Sequence, residues 1–143
     1  DQPWLAESIS ASPESIRPDT LCLGYPVVSS GAYAHRGSFE HLTGADGALA
    51  QKLSIENMVG DGFPRTFLWH TAEDASVPVQ NSLLLAQALA DHGIGFSLHV
   101  FSHGKHGASL ATDETAFKGC AEHIQPQVQG WPEQFVAWER DGR

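Results

Sequence analysis

Three short apolar runs, the last two separated by one well-marked helix, constrain this chain more than any other feature. Residues 66–70 (TFLWH) and 96–101 (FSLHVF) are rich in aromatic and β-forming side chains. Between them, residues 78–92 (PVQNSLLLAQALADH) read as a helix. Pro78 suits its first position, Leu83, Leu84, Ala86, Leu89 and Ala90 supply an apolar stripe, and Gly93 supplies the stop. A strand, a crossover helix and a second strand joined in this way lie parallel, with a right-handed crossover. The first run, residues 20–28 (TLCLGYPVV), is almost unbroken in its apolar character, as expected of a strand buried on both faces. Cys22 within it is expected in the core. The pattern predicts an α/β fold with about three parallel strands and crossover helices.

The rest of the chain is organised around these runs. Residues 1–19 mix Pro, Ser and acidic side chains and read as a helix tail followed by a surface connection. Shorter helices are expected over 54–59 and 131–140. Residues 29–53, rich in Gly, His and Ser, read as a long excursion over one edge of the sheet, the kind of segment that often carries binding function. With 41% hydrophobic and 17% charged residues in 143, the balance is that of a folded chain.

Charge narrows the classes of partner. Eight Lys and Arg stand against seventeen Asp and Glu, a formal net charge of -9, and the basic residues are scattered singly. Neither nucleic acid nor an anionic membrane surface is an expected partner. Cys22 and Cys120 lie near opposite ends of the chain, which suits neither a zinc knuckle nor a disulfide framework. No stretch approaches the about 20 apolar residues of a membrane helix, and no signal peptide is visible, so the expected location is the cytoplasm. The chain begins at Asp1 and Met58 is its only methionine, from which further residues ahead of Asp1 are expected.

The parallel strands bring the loops that follow them to one edge of the sheet, where open α/β sheets place their ligands. The loop after the 66–70 run offers Glu73 and Asp74; the loop after the 96–101 run offers His103 and His106. A carboxylate that accepts from one imidazole nitrogen fixes the tautomer and leaves the other nitrogen to take a proton from a nucleophile. Gly104 and Gly107 would let the histidine loop turn back toward the acid. The plainer alternative has Asp74 capping the following helix and His106 in solvent. His99, His103 and His106 form H-x3-H-x2-H, but a strand and its exit loop do not hold three such side chains on one face, so no metal is expected.

Several of these stretches resemble the α/β-hydrolase family. The match rests on D-x-x-V-P at Asp74, Val77 and Pro78, on GKHGASL around His106, on RPD followed by an apolar run and YPV within 17–27, and on HRGSF at 35–39. Within the family these motifs are most similar to those of small esterases related to acetylesterases and acetylxylan esterases. The resemblance spans about residues 17–110. It implies that Asp74 is the triad acid and His106 the general base, with no cofactor. It also implies that the 29–53 excursion lies over a substrate pocket, with His35, Arg36, Pro26 and Val77 as pocket candidates; the plainer reading of His35 and Arg36 is a capped helix start.

The departure from the family is equally informative. A G-x-S-x-G nucleophile elbow and an H-G-G-G oxyanion loop are missing from these residues. Ser29 and Ser30 lack the paired glycines of an elbow, and Ser38 and Ser109 lie in loops without a preceding strand. Residues 1–143 are therefore expected to be the C-terminal portion of one α/β-hydrolase domain, with the serine on an N-terminal portion that acts as its partner. The expected activity is that of a serine carboxylesterase on a small acyl ester, acetyl being the acyl group the resemblance suggests. The isolated chain is expected to be inactive. Two alternatives stay open: a non-catalytic, hydrolase-derived interaction module or inert fragment, and an amidase or formamidase of the same fold. The first strand would present an unpaired apolar edge, which invites association with a second copy.

Overall fold

In the computed structural model, which describes residues 7–142, strands β1 (Thr20–Gly24), β2 (Arg65–Thr71) and β3 (Phe96–Phe101) form one sheet in the order β1-β2-β3. Both pairings are parallel, with Leu68 of β2 opposite Leu23 on one side and Leu98 on the other. Only the central strand is buried on both faces: Phe67, Leu68, Trp69 and His70 are all inaccessible or nearly so. The expectation of a doubly buried first strand is corrected here. β1 has a neighbour on one side only among the described residues, its side chains are half-buried, and Cys22 is exposed rather than in the core.

β1 is also shorter than the apolar run that encodes it. Tyr25 takes φ 40°, a conformation costly for a residue with a side chain, and this ends the extended geometry. Its N–H still donates to the carbonyl of Trp69 at 2.7 Å. Gly24, just before the bend, lies so close to β2 that a Cβ there would sit 2.8 Å from Nε1 of Trp69. The apolar residues that follow leave the sheet: Val28 packs in the core beneath the helix, completely buried.

The helices are α1 (Pro13–Ile16), α2 (Arg36–Thr43), α3 (Gly47–Lys52), α4 (Gln80–Asp91) and α5 (Trp131–Asp141) among the described residues. The start of the expected N-terminal helix tail lies outside them. The helix expected over 54–59 is reduced to a single 3-10 turn, Ile55–Asn57. Because strand side chains alternate in direction, β2 feeds two cores. Leu68 packs with Val28, Val59, Leu85, Ala86 and Leu89 on the α4 face. Phe67 and Trp69 pack with Ala108, Ala111 and Val128 on the other, where Trp131, Phe135 and Trp138 of α5 close over them. Helices thus cover both faces of a parallel sheet, as in α/β folds.

The stripe of α4 is rotated from its expected position. Asn81, Ser82, Leu85, Ala86 and Leu89 are buried, whereas Leu83 is 47% exposed and Ala90 is also exposed. The buried polar pair has partners that explain the rotation. Oδ1 of Asn81 accepts from the N–H groups of Val28 and Ser29, both at 3.0 Å, and its amide donates to the carbonyls of Tyr33 and Pro78. One asparagine therefore ties α4 to the start of the excursion that carries α2 and α3. Gly93, at φ 67°, ends α4 as expected. No described helix is long and apolar enough to cross a membrane.

Candidate active site

The loops leaving β2 and β3 meet at the carboxyl edge of the sheet. Thr71, the last residue of β2, donates its hydroxyl to the carbonyl of Gly104 at 2.8 Å and so binds one loop to the other. Gly104 takes φ 136° and Gly107 φ 80°, so both glycines adopt conformations that side-chain-bearing residues avoid. A Cβ on Gly104 would meet Cγ2 of Thr71 at 2.9 Å. The turn they permit carries His106 back to Asp74, and Nδ1 of His106 donates to Oδ2 of Asp74 at 2.8 Å.

Each carboxylate oxygen of Asp74 has its own set of donors. Oδ1 accepts from the N–H groups of Ser76 and Val77, both at 2.9 Å, which closes the loop on itself without capping α4. Oδ2 receives His106, and Nε2 of His70 stands 3.4 Å away. The Asp74 side chain is inaccessible, while that of His106 is 35% exposed. Burial pushes the Asp74 carboxyl up, but the hydrogen bonds from His70, the Val77 N–H and His106, together with the charge of His106, outweigh it and bring the pKa down to about 2. The acid is ionised at any working pH.

An ionised carboxylate can only accept, so the hydrogen of His106 resides on Nδ1. Nε2 is left with a free lone pair and has no hydrogen-bond partner among the described residues. Tyr25 fixes the other side of the ring. Its ring stands edge-on to His106 at 4.8 Å between centroids and edge-on to Trp69 at the same distance. Its hydroxyl accepts from the N–H of Ser109 at 3.3 Å, while the indole of Trp131 donates to the carbonyl of Ser109 at 2.9 Å. The histidine loop is thereby anchored on the bend just past β1, on β2 and on α5.

The remaining residues singled out from the sequence fall in several places. His35 caps α2: its Nδ1 accepts from the N–H of Ser38 at 3.3 Å and lies 2.8 Å from the Ser38 hydroxyl. Arg36 lines a cleft of about 290 Å³ with Ser30, Gly31, Phe39, Glu40 and Asp46. Pro26 is half-buried beyond Tyr25. Val77 is buried, and its backbone serves both Asp74 and, through its carbonyl, His70. The three histidines of H-x3-H-x2-H diverge: His99 pairs with Ser97, His103 with the exposed Glu73, and His106 with Asp74. The Ser29 hydroxyl accepts from Gly31, that of Ser30 pairs with Ser54, and no described serine is hydrogen-bonded to His106.

Two residues at the site escaped sequence reading. Tyr25 lies within an apolar run, where only its place in YPV marks it. His70 closes a buried run, and the one signal of its role is that Ser82 follows at an α4 position.

Comparison with known proteins supplies the wider frame. The sequence pattern of the prolyl oligopeptidase family matches residues 48–121. Over 100 residues the chain is 43% identical to endo-1,4-beta-xylanase B of Butyrivibrio fibrisolvens, covering 68% of this chain and 16% of that protein. Among solved structures, an acetyl ester-xyloside bifunctional hydrolase from Caldicellulosiruptor lactoaceticus is similar at 44% identity and TM-score 0.74, over 87% of this chain and 43% of that one. A carboxylesterase from Lactobacillus plantarum is similar at 28% identity and TM-score 0.80, over 99% and 50%. A sugar hydrolase from Lactococcus lactis is similar at 33% identity and TM-score 0.78, over 96% and 54%. The chain spans about half the length of these solved structures. Its three parallel strands and flanking helices are those of an α/β-hydrolase.

Proposed function

We propose, since the chain belongs to the prolyl oligopeptidase family of α/β-hydrolases, that Asp74 and His106 are the acid and base of a serine carboxylesterase whose nucleophile lies outside these 143 residues. The observation that carries this reading is the 2.8 Å bond from His106 to a buried, ionised Asp74, with Nε2 left unpartnered. Nε2 accepts the proton of the serine hydroxyl as the oxygen bonds to the ester carbonyl carbon. The imidazolium, held by Asp74, returns that proton to the departing alcohol when the tetrahedral intermediate collapses. Water then attacks the acyl-enzyme by the same relay, releasing the acid and the free serine. The segment that brings the serine also brings the N–H groups that hold the oxyanion.

The named relatives support a substrate class. One is a hydrolase of acetyl esters and xylosides, another a carboxylesterase, and the curated relative is a xylanase. An acetyl ester on a xylan-type sugar fits all three. Arg36 and the cleft it lines, on the excursion between β1 and β2, supply polar groups suited to a sugar. In the full-length protein, His106→Ala is expected to lower turnover of p-nitrophenyl acetate and acetate release from acetylated xylan by about 10³-fold or more. A loss of less than about tenfold overturns the role of His106. Labelling by a fluorophosphonate that maps to a serine among these 143 residues overturns the placement of the nucleophile, and a full-length protein that neither turns over ester nor takes the label is a non-catalytic module.

A further inference from the structure

Among the described residues, His70 is the one buried imidazole that the proposed mechanism leaves unused. It is fully inaccessible, one residue before the end of β2, and strand alternation directs it with Leu68 toward α4. A buried imidazole needs a partner at each nitrogen. The carbonyl of Val77, which can only accept, lies 2.9 Å from Nε2, so the ring hydrogen is there. Nδ1 then accepts from the Ser82 hydroxyl of α4 at 2.8 Å. This tautomer turns Nε2–H toward the acid loop, where Oδ2 of Asp74 stands 3.4 Å away.

We infer that His70 is a positioning residue for Asp74: anchored on α4 through Ser82, its Nε2–H supplies the second donor to Oδ2 and fixes the carboxylate in the orientation that His106 requires. The inference rests on the reading of Asp74 and His106 given above. With His70 in place, Oδ1 carries two N–H donors and Oδ2 faces two imidazoles, His106 at 2.8 Å and His70 at 3.4 Å. Tyr25 stands edge-on to His106; on the same two loops Glu73 and His103 form an exposed pair, and Lys105, next to His106 in the chain, pairs with Glu122.

Without the His70 donor, Asp74 is a stronger base and draws the His106 proton more firmly. The imidazolium then persists to higher pH, so the acid limb of the pH–rate profile moves up as the maximal rate falls. Two amides separate this role from simple bracing of β2 against α4. In His70→Asn the amide oxygen can take the place of Nδ1 and accept from Ser82, so that contact can remain while the donor to Asp74 is lost. In His70→Gln the amide reaches the place of Nε2 and keeps that donor. The experiment measures kcat/KM against pH for both variants in the full-length protein, with Asp74→Asn and His106→Ala alongside. The expected result is an acid limb displaced to higher pH and a kcat lowered about tenfold to 10²-fold for His70→Asn, with His70→Gln restoring most of both.

A wild-type profile for His70→Asn, or equal losses in the two variants with the acid limb unmoved, overturns the inference. Should His70→Asn fail to fold, Ser82→Ala leaves every atom at Asp74 in place but frees the ring, and its acid limb is expected to move in the same direction by less; an unmoved limb overturns the inference. If Asp74→Asn and His106→Ala retain activity, it is the triad reading that fails. If those two are inactive while His70→Asn behaves as wild type, only the role of His70 fails.

Discussion

Asp74 links the geometry of the candidate site to stability through its charge. Its pKa is about 2 in the folded chain against an ordinary 3.8. A carboxyl depressed on folding contributes stability that is present above its unfolded value and is lost as pH falls through the folded one. The contribution is at most about 2–3 kcal/mol, since each tenfold change in proton affinity is worth about 1.4 kcal/mol. Urea denaturation of wild type should therefore show stability declining between about pH 4 and pH 2, with Asp74→Asn lacking this component; parallel slopes for the two proteins would contradict the assigned network. That the loops of Asp74 and His106 meet was readable from sequence because parallel strands send their exit loops to one edge; topology offered Glu73 and His103 equally, and the family resemblance singled out the pair that is bonded. His70 and Tyr25 were not readable, because their roles depend on which way a side chain leaves its strand and on a backbone bend at φ 40°, and neither is visible in composition.

At the scale of elements, α4 shows where pattern reading stops. The sequence PVQNSLLLAQALADH places the helix and its Gly93 stop within two residues, yet three adjacent leucines allow more than one apolar face. What selects the face is polar: Asn81 must reach the N–H groups of Val28 and Ser29, and Ser82 must reach His70. With those two turned inward, Leu85 is fully buried and Leu83 is 47% exposed. Leu85→Ala is expected to destabilise by about 2–5 kcal/mol, and Leu83→Ala by about 0.5 kcal/mol or less, in chemical denaturation. Equal effects would mean the helix is rotated toward the apolar count rather than the hydrogen bonds. The same limit explains β1. Its apolar letters announce a buried strand, but burial needs elements on both sides, and apolar letters do not say how many neighbours a strand has.

For the molecule as a whole, the sheet edge at β1 is the feature the described residues leave open. A three-stranded sheet whose first strand is apolar, half-buried and paired on one side only exposes a row of main-chain groups to any strand that can meet them. Solved relatives are about twice as long as this chain, and a strand from such additional length, the one bearing the serine in our proposal, would lie along β1. Cys22 reports on this directly, because it is exposed in the middle of β1, whereas the half-buried Cys120 is far along the chain and serves as an internal reference. Iodoacetamide labelling followed by peptide mapping is expected to modify Cys22 readily in the 143-residue chain and slowly in the full-length protein, with Cys120 changing little between the two. Self-association of the 143-residue chain through the same edge would also protect Cys22, but that protection fades on dilution, whereas cover by the protein's own residues does not. Labelling of Cys22 that is equally fast in both proteins at every concentration would show that β1 is an outer edge of the complete sheet, and the serine would then have to approach His106 from some other direction.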